Sequence, residues 1–324
     1  MTRDGAKVVI AGGSGFMGTA IAVDLRAEGA TVITIGRTAR SPHSPQGGQH
    51  GTGADVAWGD RSGITAAVDG ADLVLGLAGK SVNCRYTPRN RAEILSSRID
   101  TTGELGRAIA VAVRPPALWI NSSTATIYRH ADDRPQTDED GEIGSGFSVD
   151  VATAWEHEFF SHHRDGVRQV ALRTAIVLGD GSALAPLLAL TRLGLGGPQL
   201  GGESGGGRQW FSWIHLYDVS RAIGFIRSHP GIEGTVNLSS PNPVQNRELM
   251  RTLRRVLGVP FGIAAAEWML RLGARAMRTE TELLLKSRWV LPTRLEAHGF
   301  GFDHPTLEGA VTDIVTDIVR GRRG

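Results

Sequence analysis

Cysteine, lysine and tyrosine are scarce in this chain, and each scarcity excludes something. A single cysteine, Cys84, rules out an internal disulfide and a cysteine-built metal cluster. It suits a reducing compartment, and a cytoplasmic protein is expected. The tyrosines are Tyr86, Tyr128 and Tyr217, and four residues after each stand Asn90, Asp132 and Arg221. No tyrosine is therefore paired with a lysine one helical turn away. No apolar run reaches about 18 residues, so no membrane span is expected. Met1 to Gly5 leads directly into the first strand and leaves no room for a signal peptide. Arginine far outnumbers lysine, 32 to 3, yet the net charge is only +2 and no long basic run occurs. Nucleic acid is not an expected partner. His162 and His163 have no matching ligand cluster, so no metal is assigned.

What is present is a strand, a glycine loop and a helix start within twelve residues. Lys7 to Ala11 is an apolar strand, Gly12-Gly13-Ser14-Gly15-Phe16-Met17-Gly18 is the loop, and a helix is predicted over 19–28. Gly13, Gly15 and Gly18 satisfy G-x-G-x-x-G in the context that gives the motif meaning. Glycines let backbone N–H groups approach a pyrophosphate, and the helix N-terminus adds partial positive charge. Gly12, Gly15, Phe16, Met17 and Gly18 are the expected cofactor contacts.

The second strand, Thr31 to Ile35, ends in Gly36-Arg37 with Arg40 close behind. An NAD site places an acidic residue about there to hold the ribose 2′-OH. Here no carboxylate occurs before Asp55. An arginine fork suits a 2′-phosphate, so Arg37 points to NADP(H). Trp58-Gly59-Asp60 ends a third strand, where Asp60 could meet the adenine amino group. Leu73 to Leu77 is a fourth strand leading into Ala78-Gly79, small residues that let the chain pass close to a cofactor.

Strands and helices alternate to about residue 180, which predicts an α/β fold: a doubly wound parallel sheet of Rossmann type, covered on both faces. At 324 residues the chain exceeds the size of one core, so a second lobe is expected, smaller and mostly helical. Residues 1–180 with 213–240 would form the first lobe, and 181–212 with 241–324 the second. The tract 41–53 and the glycine-rich tract 195–208 read as loops. Thr279 and Glu282 suggest a capping box, and Asp218 a helix N-cap. The run Asp138, Glu139, Asp140, Glu142 reads as a solvated patch. Trp210 and Trp213 would pack the lobe junction or wall a site.

Several stretches together resemble one family. They are the glycine loop, Leu77-Ala78-Gly79-Lys80-Ser81-Val82, Ser97-Arg98-Ile99-Asp100-Thr101-Thr102, Trp155-Glu156, Arg173 to Gly179, Gln209 to Asp218 and Asn237 to Asn246. The chain resembles the extended short-chain dehydrogenase/reductases, and within them an atypical epimerase-like branch with a small C-terminal domain of unassigned function. Where that branch usually has Asn, this chain has Gly76. Ordinary members use Ser or Thr with a Tyr-x-x-x-Lys pair; the resemblance places those positions at Val149 and Thr153, so the pair is missing. The hydroxyl half remains. By resemblance, Thr124 would polarise a carbonyl. Tyr128 is either a substitute proton donor or a packed tyrosine. Lys80 either contacts the nicotinamide ribose or substrate, or is solvated. Arg98 either clamps substrate or pairs on the surface, while Arg173 and Arg208 would suit an anionic substrate. The resemblance implies an NADP(H)-dependent oxidoreductase or epimerase-like enzyme on a small carbonyl or alcohol, with a possible homodimer. The alternatives are a low-turnover cofactor-binding regulator and a sugar-nucleotide epimerase.

Overall fold

The computed structural model describes residues 5–39, 53–201, 203–266 and 287–321. Arg40, most of the 41–53 tract and the Thr279/Glu282 pair lie outside them. In chain order the elements are β1 (Lys7–Ala11), α1 (Phe16–Ala27), β2 (Thr31–Gly36), β3 (Val56–Ala57), α2 (Arg61–Val68), β4 (Leu73–Gly76), α3 (Pro88–Val111) and β5 (Leu118–Thr124). A short 3-10 turn (Ala125–Ile127) leads to α4 (Phe147–Ser161), β6 (Arg168–Thr174), β7 (Ile176–Leu178), α5 (Leu184–Arg192), β8 (Trp210–Phe211), β9 (Trp213–His215) and α6 (Leu216–Ser228). The chain continues with β10 (Gly234–Leu238), β11 (Val244–Gln245), α7 (Asn246–Leu257), α8 (Thr293–Ala297) and α9 (Leu307–Gly321).

Seven strands pair in parallel in the order β10-β6-β5-β4-β1-β2-β3. The expected Rossmann-type sheet is the observed one. Successive strand side chains point to opposite faces, and here both faces are dry. Val8, Ile10, Leu73, Leu75, Leu118 and Ile120 join α1 and α6 in one core. Val9, Ala11, Val74, Trp119 and Ala171 join α2, α3 and α4 in the other. That is why these strands read as unbroken apolar runs rather than alternating ones.

A third core gathers Leu184 and Leu188 of α5, Leu249, Met250 and Leu253 of α7, and Leu307, Ala310, Val311 and Ile314 of α9, around Trp213. On α9 the apolar stripe at helical spacing is the buried face. The stretch between α7 and α9 divides its loyalty: Leu295 and Phe300 enter the sheet core beside α6, and Val290 packs with Tyr128 and Val149. No helix among the described residues is long and apolar enough to cross a membrane.

Strand order reverses between β1 and β4, whose neighbours lie on opposite sides. A crevice opens there at the carboxyl ends of the strands, the place where this architecture receives ligands.

Candidate functional site

That crevice holds a cavity of about 500 Å³. The loop after β1 forms one wall, with Gly12, Gly15, Phe16, Met17 and Gly18. Gly12 has φ +86°, and a Cβ there would sit 2.9 Å from the Ala78 backbone nitrogen. A Cβ on Gly18 would run into the Gly12 carbonyl, and one on Gly13 would lie 2.6 Å from Thr34 Cγ2. Gly12 and Gly18 are thus required by backbone packed on backbone, and Gly13 by the Thr34 side chain. Gly15 is the N-cap of α1, and no side chain caps that helix. Its first-turn N–H groups are left to a ligand, and the helix dipole favours an anion.

The segment after β4 forms the second wall through Leu77, Gly79, Lys80 and Ser81. Ala78 packs behind Gly12 and does not line the cavity. Gly76 leaves no gap: a side chain there would collide with Asn121 Oδ1 of the neighbouring strand. The Asn121 amide occupies the room and donates to the Ser122 carbonyl at 2.8 Å. Lys80 lines the cavity, but its ammonium is held by Glu93 and by Asn90 Oδ1.

The end of β5 supplies Ser122, Ser123 and Thr124, and the turn beyond it Thr126. Thr124 Oγ1 lies 3.0 Å from Thr126 Oγ1 and accepts the Thr126 N–H at 3.2 Å. β5 runs to Thr124, which sets that residue at the rim. Opposite stand Phe147, Ser148, Val151, Ala152 and Trp155 of α4. Val149, where the resemblance places a tyrosine, faces a separate core with Ile127.

Tyr128 departs from its expected role. It is 1% exposed and does not line the cavity. Its hydroxyl donates to Asn237 Oδ1 at 2.7 Å and accepts from Arg173 Nη1 at 3.0 Å. Burial pushes its pKa up despite the Arg173 charge. Tyr128 is a packed tyrosine. Arg173 is equally committed, gripping Glu156 through Nε and Nη2. Arg208 is spent on the Ser204 carbonyl. Neither arginine lines the cavity. Tyr217 is half exposed on α6. Of the three tyrosines, Tyr86 lines the cavity, its ring edge-on to Phe147 at 5.0 Å. Sequence reasoning passed over it because no lysine follows at four residues.

Arg37 and Asp60 lie beyond this cavity, at the ends of β2 and just after β3. Arg37 is exposed, with no partner among the described residues. Asp60 caps α2, accepting from Gly63 N and Ser62 Oγ, and these bonds lower its pKa. Asp55 is taken by the backbone and hydroxyl of Thr34.

Two other expectations need correction. His215, not Asp218, is the N-cap of α6. Asp218 is wholly buried and accepts the N–H groups of Asp303 and His304. Asp138 is not solvated: it accepts from Asn237 N, Thr293 Oγ1 and Arg294 N, and burial raises its pKa. Trp213 is buried in the third core and Trp210 stacks on Trp289 at 4.2 Å, so neither walls the cavity. His162 pairs with Glu158, while His215, His304 and Asp313 bring three potential ligand atoms within 4.8 Å of one another. The His215 Nδ1 in that group accepts the Tyr217 N–H at 3.2 Å. Metal binding through the opposite ring nitrogen would require a proton on Nδ1, so that hydrogen bond opposes it.

Comparison with known proteins agrees with this architecture. Residues 8–238 match the NAD dependent epimerase/dehydratase family, and residues 265–314 match a domain of unknown function, DUF1731. The chain is 30% identical over 312 residues to epimerase family protein YfhF of Bacillus subtilis, covering 96% of this chain and 98% of that one. It is 32% identical over 317 residues to epimerase family protein SDR39U1 of Mus musculus, covering 95% and 99%. The crystal structure of human epimerase family protein SDR39U1 (isoform 2) with NADPH superimposes with a TM-score of 0.80 at 27% identity, covering 96% of this chain and 99% of that one. With a glycine loop on an uncapped helix at the switch point of a parallel sheet, and these matches along nearly its whole length, the chain belongs to the NAD dependent epimerase/dehydratase family, of extended short-chain dehydrogenase/reductase type, with a C-terminal DUF1731 domain.

Proposed function

We propose that the chain is an NADP(H)-dependent oxidoreductase or epimerase-like enzyme acting on a small carbonyl or alcohol. One observation carries the reading: the uncapped N-terminus of α1 opens on the same cavity as Thr124 and Tyr86. An anion fits the first and a carbonyl oxygen the second. The residues suit the cofactor by a further test, since Gly12, Gly13 and Gly18 have no room for a Cβ and leave the loop backbone bare. Gly12, Gly15, Phe16, Met17 and Gly18 would hold the diphosphate, and Gly79 would pass beside the ribose. Arg37, exposed at the end of β2, is the residue for a 2′-phosphate, and Asp60 stays the candidate for the adenine edge. NADPH in the human relative supports the choice of NADP(H).

When bound, the nicotinamide would supply or accept the hydride. The chain's own part is orientation and proton transfer. Thr124 presents a hydroxyl at the cavity rim to polarise oxygen, steadied by Thr126. Tyr86 replaces Tyr128 as proton donor, because it is the tyrosine that reaches the cavity. Lys80 keeps its ammonium on Glu93 and steadies the wall.

NADPH and NADH titrated against wild type and Arg37→Ala test the cofactor. NADPH should bind at least about tenfold tighter than NADH, and the variant should erase the difference. Equal affinities in wild type would remove NADP from the reading. A carbonyl panel scored by NADPH oxidation tests the chemistry, with Tyr86→Phe and Thr124→Ala each slowing turnover by about a hundredfold or more. A broad panel without turnover, despite tight NADPH, would favour the regulator.

A further inference from the structure

Arg98 is the cation in this cavity that the protein leaves without a carboxylate. It projects from α3 and lines the cavity beside Gly79, Lys80 and Tyr86. One face of its guanidinium lies over the Trp155 ring, 5.0 Å from the centroid. Trp155 is itself fixed by Nε1 donating to Thr102 Oγ1 at 2.9 Å. Nη1 donates to the carbonyls of Lys80, at 3.1 Å, and Ile94, at 2.9 Å. A Cβ on Gly79 would come within 3.2 Å of Arg98 Cζ, so the glycine is what lets the guanidinium lie against the chain. The group is wedged between backbone and indole, in one orientation.

Arg91 lies outside the cavity lining, over the Phe147 ring and bonded to the Tyr86 carbonyl, and the two other cations at the site are neutralised. Lys80 has Glu93, and Arg173 has Glu156. Arg98 has no acidic partner among the described residues, and its Nε and Nη2 carry no hydrogen bond there. Those two atoms form the side-on edge of the guanidinium, the edge that grips a carboxylate with two parallel bonds. Burial disfavours the charge and lowers the pKa, yet a guanidinium does not give up its proton near neutral pH. A half-buried guanidinium with no carboxylate and one bonding edge unused is suited to an anionic group of a ligand.

We propose that Arg98 receives the carboxylate of the substrate, so that the cavity takes a small oxo or hydroxy acid rather than a neutral carbonyl compound. This rests on the reading of the site as a cofactor-dependent one. The diphosphate of the cofactor is the other anion that could meet Arg98. Its place, however, is the α1 N-terminus, whereas Arg98 projects from α3 and lines the cavity with Tyr86. The order in the cavity is then hydride source, carbonyl on Thr124 and Tyr86, and acid group on Arg98.

The experiment uses the full chain loaded with NADPH. Pyruvate, 2-oxoglutarate and phenylpyruvate are titrated beside their methyl esters, reading the fluorescence of bound NADPH and its oxidation. At least one acid should bind about tenfold or more tighter than its own ester. Arg98→Met should erase that preference while NADPH affinity changes by less than about threefold, and Arg98→Lys should keep part of it. Acids and esters binding alike would overturn the proposal, as would a panel in which no acid binds. So would an Arg98→Met protein that loses NADPH affinity with no change in acid preference, since the anion would then be the diphosphate. The wild-type comparison stands even where a variant fails to fold. If wild type bound no NADPH, the cofactor reading would fall before any acid was added, and the same acid–ester comparison on the cofactor-free chain would judge Arg98 alone.

Discussion

Glu156 and Arg173 meet edge to edge, with Oε1 accepting from Nε at 2.9 Å and Oε2 from Nη2 at 2.8 Å. About nine-tenths of each side chain is buried. Ser123, on the cavity wall, donates to the same Oε1 at 2.6 Å. Arg173 continues to the Tyr128 hydroxyl, Tyr128 to Asn237, and the Asn237 N–H to Asp138, which receives the first residues of α8. A chain of hydrogen bonds therefore runs from the ligand cavity to the C-terminal segment. Every link is satisfied, which makes the network rigid and makes losing one member costly.

Breaking that pair should therefore cost more than an ordinary surface substitution. Glu156→Gln strands a buried guanidinium, and Arg173→Met strands a buried carboxylate. Each should destabilise by about 3–5 kcal/mol. Urea unfolding measures it. A loss below about 1 kcal/mol in either variant would mean that water already reaches the pair. Replacing both by apolar residues of similar volume should recover part of the loss, because no charge is then left alone.

Gly12→Ala tests the glycine loop without touching any charged group. At φ +86°, with the Ala78 nitrogen 2.9 Å from the new methyl, the loop has to move away from the segment after β4. NADPH affinity should fall by at least about tenfold, because the N–H groups proposed to hold the diphosphate move with it. Gly205→Ala, in open space at φ +57°, is the control for backbone strain alone and should leave binding unchanged. Fluorescence titration of both variants decides the matter.

The parts of the fold legible in the sequence are those set by local pattern. The run from Lys7 to Ala11 and the glycines after it declare a buried strand and a phosphate loop, because both faces of the strand are dry and the loop backbone has no room for Cβ atoms. Thr124 was visible through the family resemblance of the stretch that ends β5. Tyr86 was not. It lies in an aperiodic stretch, and its place depends on Phe147, 61 residues away in sequence and next to it in space. Asp138 sits in an acidic run that looks solvated. Its burial depends on donors from β10 and α8, which no local pattern announces. Arg173, on a strand that runs toward the cavity, reads as a contact for an anionic substrate; its partner Glu156 comes from a different element, and only the packing of α4 on the sheet brings them together.

His215 makes stability depend on pH. It caps α6 through Nδ1, is 7% exposed and stacks on His304 at 3.9 Å. Burial, aided by repulsion from His304, lowers its pKa below 6.5, while Asp313, Asp218 and Asp317 pull the other way without prevailing. The folded state therefore resists a proton that the unfolded chain accepts. Its contribution is complete above the ordinary value and is lost as the pH falls below it. The melting temperature should drop as the pH is lowered through about 6.5 and toward the folded value. His215→Asn keeps a capping side chain and removes the titration. Its melting temperature should fall less steeply over the same window, and an identical slope would assign the dependence to other groups.

The exchange of side chains between Gly76 and Asn121 makes a prediction that needs two substitutions. The two residues are register partners on β4 and β5. A methyl at position 76 would collide with Asn121 Oδ1, and would lie 3.6 Å from Leu105 Cδ1, an ordinary contact. The obstacle is thus one amide and not the surrounding core. Gly76→Ala should destabilise by about 1–3 kcal/mol, the usual cost of overfilling a packed interior. In the Asn121→Ala background the amide is gone and the same methyl has room. The cost should then shrink or change sign, giving a coupling of about 1 kcal/mol or more in a double-mutant cycle. Additive effects would mean that the backbone of β4, rather than the Asn121 side chain, keeps position 76 bare.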